Sequence, residues 1–163
     1  AGVPGAVPAR GRSGVVNNHH DPLSALRGGD ARVGAVCSFI GTVRDRNEGA
    51  AVASMELEHY PGMTERQLAG IEDEARRRWP LQAVLIIHRY GRLEPGDRIV
   101  LVATASAHRE AAFESCHFLI DWLKTRAPFW KSEEFPDGRT RWVEAKAEDD
   151  AMAERWSRPD PRP

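Results

Sequence analysis

The spacing of apolar positions changes several times along the chain, and each change predicts an element. From Val33 to Arg44 almost every position is apolar, the pattern of a β-strand covered on both faces. A polar loop, Asp45 to Ala50, leads to Val52–His59, where Met55 and Leu57 alternate with Glu56 and Glu58 and predict a half-exposed strand. Pro61-Gly-Met-Thr64 then opens a helix. Leu68, Ile71, Ala75 and Trp79 recur at offsets of three, four and four along it, and Pro80 stops it. Ala83–Arg89 and Arg98–Ala105, joined by Leu93-Glu-Pro-Gly-Asp97, predict a hairpin. Ser106 is placed to cap a second helix beginning near His108, with Ala112, Phe113, Cys116, Leu119, Ile120 and Leu123 as its buried face. Pro128 ends that helix. Phe129–Phe135 and Arg139–Glu144, turned by Pro136-Asp-Gly138, predict a second hairpin.

The two ends of the chain lack such periodicity. Residues 1–30 read as a flexible arm, with local folding near Val15-Val16 and a short helix at Leu23–Leu26 ended by Gly28-Gly29. His19-His20 suits a solvated arm better than a metal site. From Ala147 the chain is charged and ends Arg-Pro-Asp-Pro-Arg-Pro, so residues 147–163 read as a disordered tail. Residues 31–146 are then one α+β domain: a mainly antiparallel sheet, two principal helices and a C-terminal β-hairpin.

Composition narrows the classes of function. The formal net charge of −1 gives no global field for nucleic acid, so any anion site must be local. Cys37 and Cys116 both lie in apolar runs and form neither a disulfide framework nor a zinc spacing, which fits a reduced, cytoplasmic setting. No apolar run approaches the ~18 residues of a membrane span, and the first residues lack the apolar core of a signal peptide. No spacing of His, Cys, Asp or Glu points to a metal, and no Gly-rich cradle points to a nucleotide.

One stretch concentrates charge. Lys124-Thr-Arg-Ala-Pro-Phe-Trp-Lys131 places three cations, two aromatics and a proline in eight residues at the end of the second helix. The residues alone leave two readings open. They suit a pocket for a flat, anionic molecule; equally, cations suit a helix C-terminus and Phe129 and Trp130 suit a core.

Five motifs in order resemble those of one family, the catalytic (large) subunits of molybdopterin synthase. They are Gly34-Ala-Val…Phe39-Ile-Gly-Thr-Val-Arg44; Leu57-Glu-His-Tyr-Pro-Gly-Met63; Ile87-His-Arg-Tyr-Gly91 with Pro95-Gly-Asp97; Ser106-Ala-His-Arg109; and Lys124 to Lys131 followed by Trp142-Val-Glu144. The resemblance implies a hammerhead-like fold and a sulfurtransferase of molybdenum cofactor biosynthesis that uses no cofactor of its own. Its substrate would be cyclic pyranopterin monophosphate. Its sulfur would come from the C-terminal thiocarboxylate of a small ubiquitin-like partner, within a heterotetramer built on a homodimer of large subunits. By position, the family's substrate-binding residues fall on Thr42, Val43, Arg44, His108, Arg109, Lys124, Lys131, Ser132 and Glu133, with Lys146 where the family often has arginine.

The residue types suit that chemistry. Arg44, Arg109 and Lys131 offer charge-assisted contacts to phosphate. Lys124 and Lys131 are the expected catalytic pair: Lys124 for proton transfer or for orienting the thiocarboxylate carbonyl, Lys131 for stabilising developing anionic charge. Arg109 and Lys124 lie 15 residues apart on one predicted helix, hence roughly 22 Å along its axis. A small pterin phosphate cannot span that, so the site is expected to be composite, with His108 and Arg109 given in trans across a two-fold interface. Two rivals stand beside this reading: a sulfurtransferase with a persulfide on Cys37 or Cys116, and a partner-binding module without catalysis.

Overall fold

The computed structural model describes residues 14–15, 26, 28–143 and 147–157. In chain order the strands are β1 (Gly14–Val15), β2 (Ala35–Thr42), β3 (Arg46–Asn47), β4 (Ala50–Ala51) and β5 (Ser54–His59), then β6 (Leu81–His88), β7 (Gly91–Leu93), β8 (Arg98–Ser106), β9 (Phe129–Glu134) and β10 (Thr140–Val143). The helices are α1 (Met63–Arg78), α2 (Arg109–Thr125) and α3 (Ala147–Glu154), the last running into a 3-10 turn, Arg155–Ser157. The fold is α+β. One sheet has the order β1-β6-β8-β2 and a second β10-β9-β5-β7, with β3 and β4 as a separate small hairpin. Every pairing is antiparallel except β1 with β6.

Period-two alternation in β8 divides the first sheet between two cores. Val102 packs with Val84 and Ile86 against Leu68, Ile71, Ala75, Cys116 and Leu119 of the helices. Ala103 and Ala105 face the other way, with Leu26 and Leu85. The predicted stripe Leu68, Ile71, Ala75 and Trp79 is buried throughout. The second sheet has its own small core of Val43, Met55, Leu57 and Leu93. Thr104 Oγ1 donates to the Ala112 carbonyl at 2.7 Å and joins α2 to the sheet beneath. At Gly34 a Cβ would lie 2.2 Å from the Ala107 carbonyl oxygen, so only glycine lets the chain entering β2 pass the start of α2.

Several expectations need correction. The Val33–Arg44 run is not covered on both faces: β2 is an edge strand, and Val36, Phe39 and Ile40 are 37%, 39% and 48% exposed in the single chain. Phe113, expected on the buried face of α2, is 62% exposed. The spacing rule admits residue 113 at the edge of the stripe, and only the sheet's position excludes it. The N-cap of α2 is His108, not Ser106; Ser106 closes β8, its hydroxyl donating to the Pro80 carbonyl at 2.9 Å. Within the N-terminal arm Gly14 and Val15 form a strand, paired with Ile87 and His88. Leu26 is helical and buried; the rest of the Leu23–Leu26 helix, and His19-His20, lie outside the described residues.

The largest correction is the tail. Residues 147–157, expected to be disordered, are helical because Trp156 anchors them. Its ring packs edge-on against Trp79 and Phe118, with centroids 5.7 and 5.6 Å apart, and its indole N–H donates to the buried Asp121 carboxylate at 2.7 Å. A single aromatic with a satisfied polar tip outweighs the charged composition around it. Trp156→Ala is expected to destabilise the protein by about 3 kcal/mol in urea unfolding. It should also expose residues 147–157 to proteolysis; an unchanged unfolding midpoint would contradict this anchoring.

Candidate functional site at the junction of α2 and β9

Pro128 converts a helix into a strand within three residues. The last helical turn closes with the Arg126 N–H donating to the Trp122 carbonyl at 2.8 Å, and the Phe129 N–H then donates to Ala127 at 2.8 Å as the chain turns. Phe129 lies flat on His88, with ring centroids 3.8 Å apart and planes 15° from parallel. His88 is buried, and its Nδ1 lies 2.8 Å from the Arg89 carbonyl, which fixes the ring from below. Burial lowers the His88 pKa to about 4, so the stack is made by a neutral imidazole at neutral pH.

Beyond Phe129 the strand sorts its residues by face. β9 pairs Leu57 with Lys131, Glu56 with Ser132 and Met55 with Glu133. Phe129, Lys131 and Glu133 therefore share one face, while Trp130, Ser132 and Glu134 share the other. Ser132 and Glu133 were expected in one pocket with Lys131; the pleat keeps the Ser132 side chain on the opposite face. There Trp130 and Trp142 meet edge-on with centroids 6.3 Å apart, both largely exposed.

On the Lys131 face the centre is Glu133, which is 2% exposed. Its carboxylate accepts two hydrogen bonds from Asn47 Nδ2, at 3.1 and 2.9 Å. Lys131 Nζ lies 3.7 Å from one of its oxygens and Arg141 3.6 Å from the other. Asn47 belongs to the β3–β4 turn, in which Glu48 and Gly49 have φ of 51° and 83°, and Arg141 also pairs with Glu48 at 3.0 Å. Two positive-φ residues in a two-residue turn fit the twist of a tight hairpin.

The remaining expected site residues are dispersed. Lys124, in the last turn of α2, is half exposed and lies 3.4 Å from Asp149 of α3. Thr42 and Arg44 are exposed at the end of β2. Val43 between them is 3% exposed, and its N–H and carbonyl are both used in the turn at Gly96-Asp97. It offers a substrate no free group and instead sets its neighbours outward. His108 and Arg109 are exposed at the start of α2, which runs unbroken to Thr125. Fifteen residues of one helix put Arg109 and Lys124 about 22 Å apart along the axis. Lys146 lies outside the described residues. A cavity of about 340 Å³ between α1, α2 and the 3-10 turn, lined by Arg78, Phe118, Trp122, Arg126 and Trp156, contains none of these residues.

Sequence reasoning missed Asn47, Arg141, His88 and Asp149. Asn47 stood before Glu48-Gly49 in a polar loop, and a tight-turn reading would have aimed it across the sheet. Nothing local marked Asp149. Among the described residues no group of three or more His, Cys, Asp or Glu could hold a metal, and no helix is long and apolar enough to cross a membrane.

A family model described as MoaE protein matches residues 16–126. The molybdopterin synthase catalytic subunit of Ralstonia nicotianae is 56% identical over 134 residues, 82% of this chain and 76% of that protein. The structure of molybdopterin cofactor biosynthesis protein E from Burkholderia multivorans superposes with a TM-score of 0.75 at 48% identity, over 93% of this chain and 99% of that one. At 18% identity and a TM-score of 0.63, over 83% and 91% of the chains, the fold is shared with a protein from the Helicobacter pylori complex of subunits 1 and 2 of molybdopterin-converting factor.

The depressed His88 pKa has a consequence for stability. In the unfolded chain the imidazole takes up a proton near pH 6.5, whereas in the fold it does so only near 4. The unfolded state therefore binds more protons between these values. Stability is full above pH 6.5 and falls as pH drops towards 4, by up to about 3 kcal/mol from this group. Replacing the ring by His88→Phe should flatten that part of the profile, read by urea unfolding between pH 7 and pH 4. An unchanged slope would show that His88 is not the group responsible.

Proposed function

The chain belongs to the MoaE family, that of molybdopterin synthase catalytic subunits, and from that premise we propose that it moves sulfur from the C-terminal thiocarboxylate of a small ubiquitin-like subunit to cyclic pyranopterin monophosphate. Membership makes it an enzyme of molybdenum cofactor biosynthesis. The observation that carries the reading of the site is the α2–β9 junction, where Lys124 ends a helix and Lys131 enters a strand backed by a buried carboxylate. In each transfer the thiocarboxylate sulfur bonds to a substrate carbon and that carbon gives up an oxygen substituent; water then cleaves the acyl–sulfur bond, leaving the sulfur on the substrate and an ordinary carboxylate on the small subunit. That cleavage passes through an anionic tetrahedral oxygen, the kind of charge that a preplaced cation stabilises. Lys131 supplies that cation. Lys124 orients the carbonyl or moves the proton. The shift of Lys124 from Asp149 to the incoming carboxyl end is a small one, because a half-exposed ion pair of this kind is worth at most about 1 kcal/mol.

The substrate's phosphate goes to Arg44 and Arg109, which are exposed and have no ion pair among the described residues. By its match to the family's motif, Lys146 is a further cation for the same phosphate. Arg109 comes from a second copy of the chain. Two features support that: the length of α2, and the apolar edge of β2. Val36, Phe39 and Ile40 are exposed along an edge strand, a surface that a two-fold partner covers by continuing the sheet or packing across it. Phe113 lies exposed one turn from Arg109, so an interface there also carries Arg109 towards the partner. The assembly proposed is a homodimer with a small subunit at each end, in the reduced cytoplasm that two free thiols suit. The cysteine rival fits the structure poorly. Cys116 is buried, and burial with Cys37 beside it pushes its thiol pKa far up, away from the thiolate a persulfide carrier needs.

Reconstitution with the thiocarboxylated small subunit and cyclic pyranopterin monophosphate should yield a dithiolene product. Lys124→Ala and Lys131→Ala should each slow it by roughly 10²- to 10⁴-fold, and a Cys37→Ala/Cys116→Ala double variant should retain it. No product from the wild-type chain under these conditions would refute the function. Equal mixing of Arg109→Ala and Lys124→Ala chains should restore about a quarter of wild-type activity, since half the dimers are mixed and each has one intact site. No recovery with mixed dimers demonstrated would refute the trans assignment.

A further inference from the structure

Asn47 carries none of the roles given above, yet its geometry ties it to Lys131. A carboxylate only accepts hydrogen bonds, so the Nδ2 end of the Asn47 amide must face Glu133. It donates to both carboxylate oxygens, at 3.1 and 2.9 Å, and so fixes the plane of the group. The same carboxylate meets Lys131 Nζ at 3.7 Å and Arg141 at 3.6 Å. Its burial leaves it little room to turn while that seat is occupied. The turn bearing Asn47 is tied to the same strands a second time, by Glu48 to Arg141 at 3.0 Å.

The turn also holds two unfavourable features. Glu48 is a non-glycine residue at φ 51°, and Asn47 Oδ1 is buried with no hydrogen-bond partner among the described residues. Local costs of this kind persist where surrounding contacts over-determine the conformation, and they gather at functional sites. Here the contacts that do so are the ones to Glu133 and Arg141. Resting on the function proposed for Lys131, we infer that Asn47 is a positioning residue: by seating Glu133 it sets where the Lys131 ammonium stands in the sulfur-transfer site. Glu133 then acts on the reaction through Lys131 and not by touching substrate.

A residue that merely tethers the turn would affect stability alone, whereas a positioning residue is coupled to Lys131. The two are separated by a double-mutant cycle in the reconstituted complex, read as single-turnover rate so that slow variants can be followed for hours. Asn47→Ala should lower the rate about tenfold, with substrate affinity changed less than about twofold. In a Lys131→Ala background the same substitution should change the rate less than about twofold. A tenfold loss in both backgrounds, or a wild-type rate for Asn47→Ala alone, overturns the inference. Thermal unfolding checks that each variant is folded; if Asn47→Ala is not, Glu133→Gln, which keeps the volume and removes the charge, carries the same cycle with the same expected coupling. A wild-type rate for Lys131→Ala would instead overturn the role of Lys131 itself, and Asn47's with it.

Discussion

A β-strand has two faces and no third, and that constraint governs everything after Pro128. β9 pairs with β5 on one side and β10 on the other, so its register is fixed twice. Each residue is then committed to a face: Lys131 and Glu133 to the side of Asn47, Trp130 and Ser132 to the side of Trp142. A one-residue slip would put Ser132 or Glu134 where Glu133 now sits and send Lys131 to the wrong side of the sheet. The helix before it is constrained by the same event, because α2 must end where the proline begins the strand.

Buried charge at Glu133 makes little sense as a stabilising device. Removing a carboxylate from water is expensive, and a well-packed apolar residue of similar size commonly serves stability as well or better. The hydrogen bonds from Asn47 offset part of that expense, and Lys131 and Arg141 offset more. What the arrangement gains is a fixed direction for two cations on one face of a sheet. Arg141 is further held by Glu48 at 3.0 Å, while Lys131 is held to Glu133 and keeps a third of its side chain exposed. Direction, not stability, is the property served.

The fold was legible wherever one physical rule acted alone. Helical spacing placed Leu68, Ile71, Ala75 and Trp79 correctly, and alternation placed Met55 and Leu57. The motifs carried the family. Misreadings fell where tertiary context outweighed a local rule. Phe113 satisfies the helical stripe but overhangs the sheet, and the β2 run has the composition of a central strand on an edge. The charged tail is ordered by one tryptophan whose partners, Trp79, Phe118 and Asp121, are 35 or more residues away in sequence. The pairing of Asn47 with Glu133, 86 residues apart, escaped notice for the same reason. Pairings across such distances leave no periodic trace.

The misreading of β2 and the length of α2 bear on one question. An edge strand with three large apolar side chains in water is a poor solution for a lone chain, because unpaired backbone and exposed Val36, Phe39 and Ile40 invite association. A rigid helix with Arg109 and Lys124 at opposite ends is likewise a poor solution for one small substrate. The proposed homodimer is an answer to both at once: in it a second copy covers the edge of β2, and the start of one α2 serves the same site as the end of the other. The composition of the β2 run, misleading about the single chain, is then appropriate to the strand in its assembly. On this view the apolar residues of β2 and the cations of α2 belong to one design, in which burying the first completes the second.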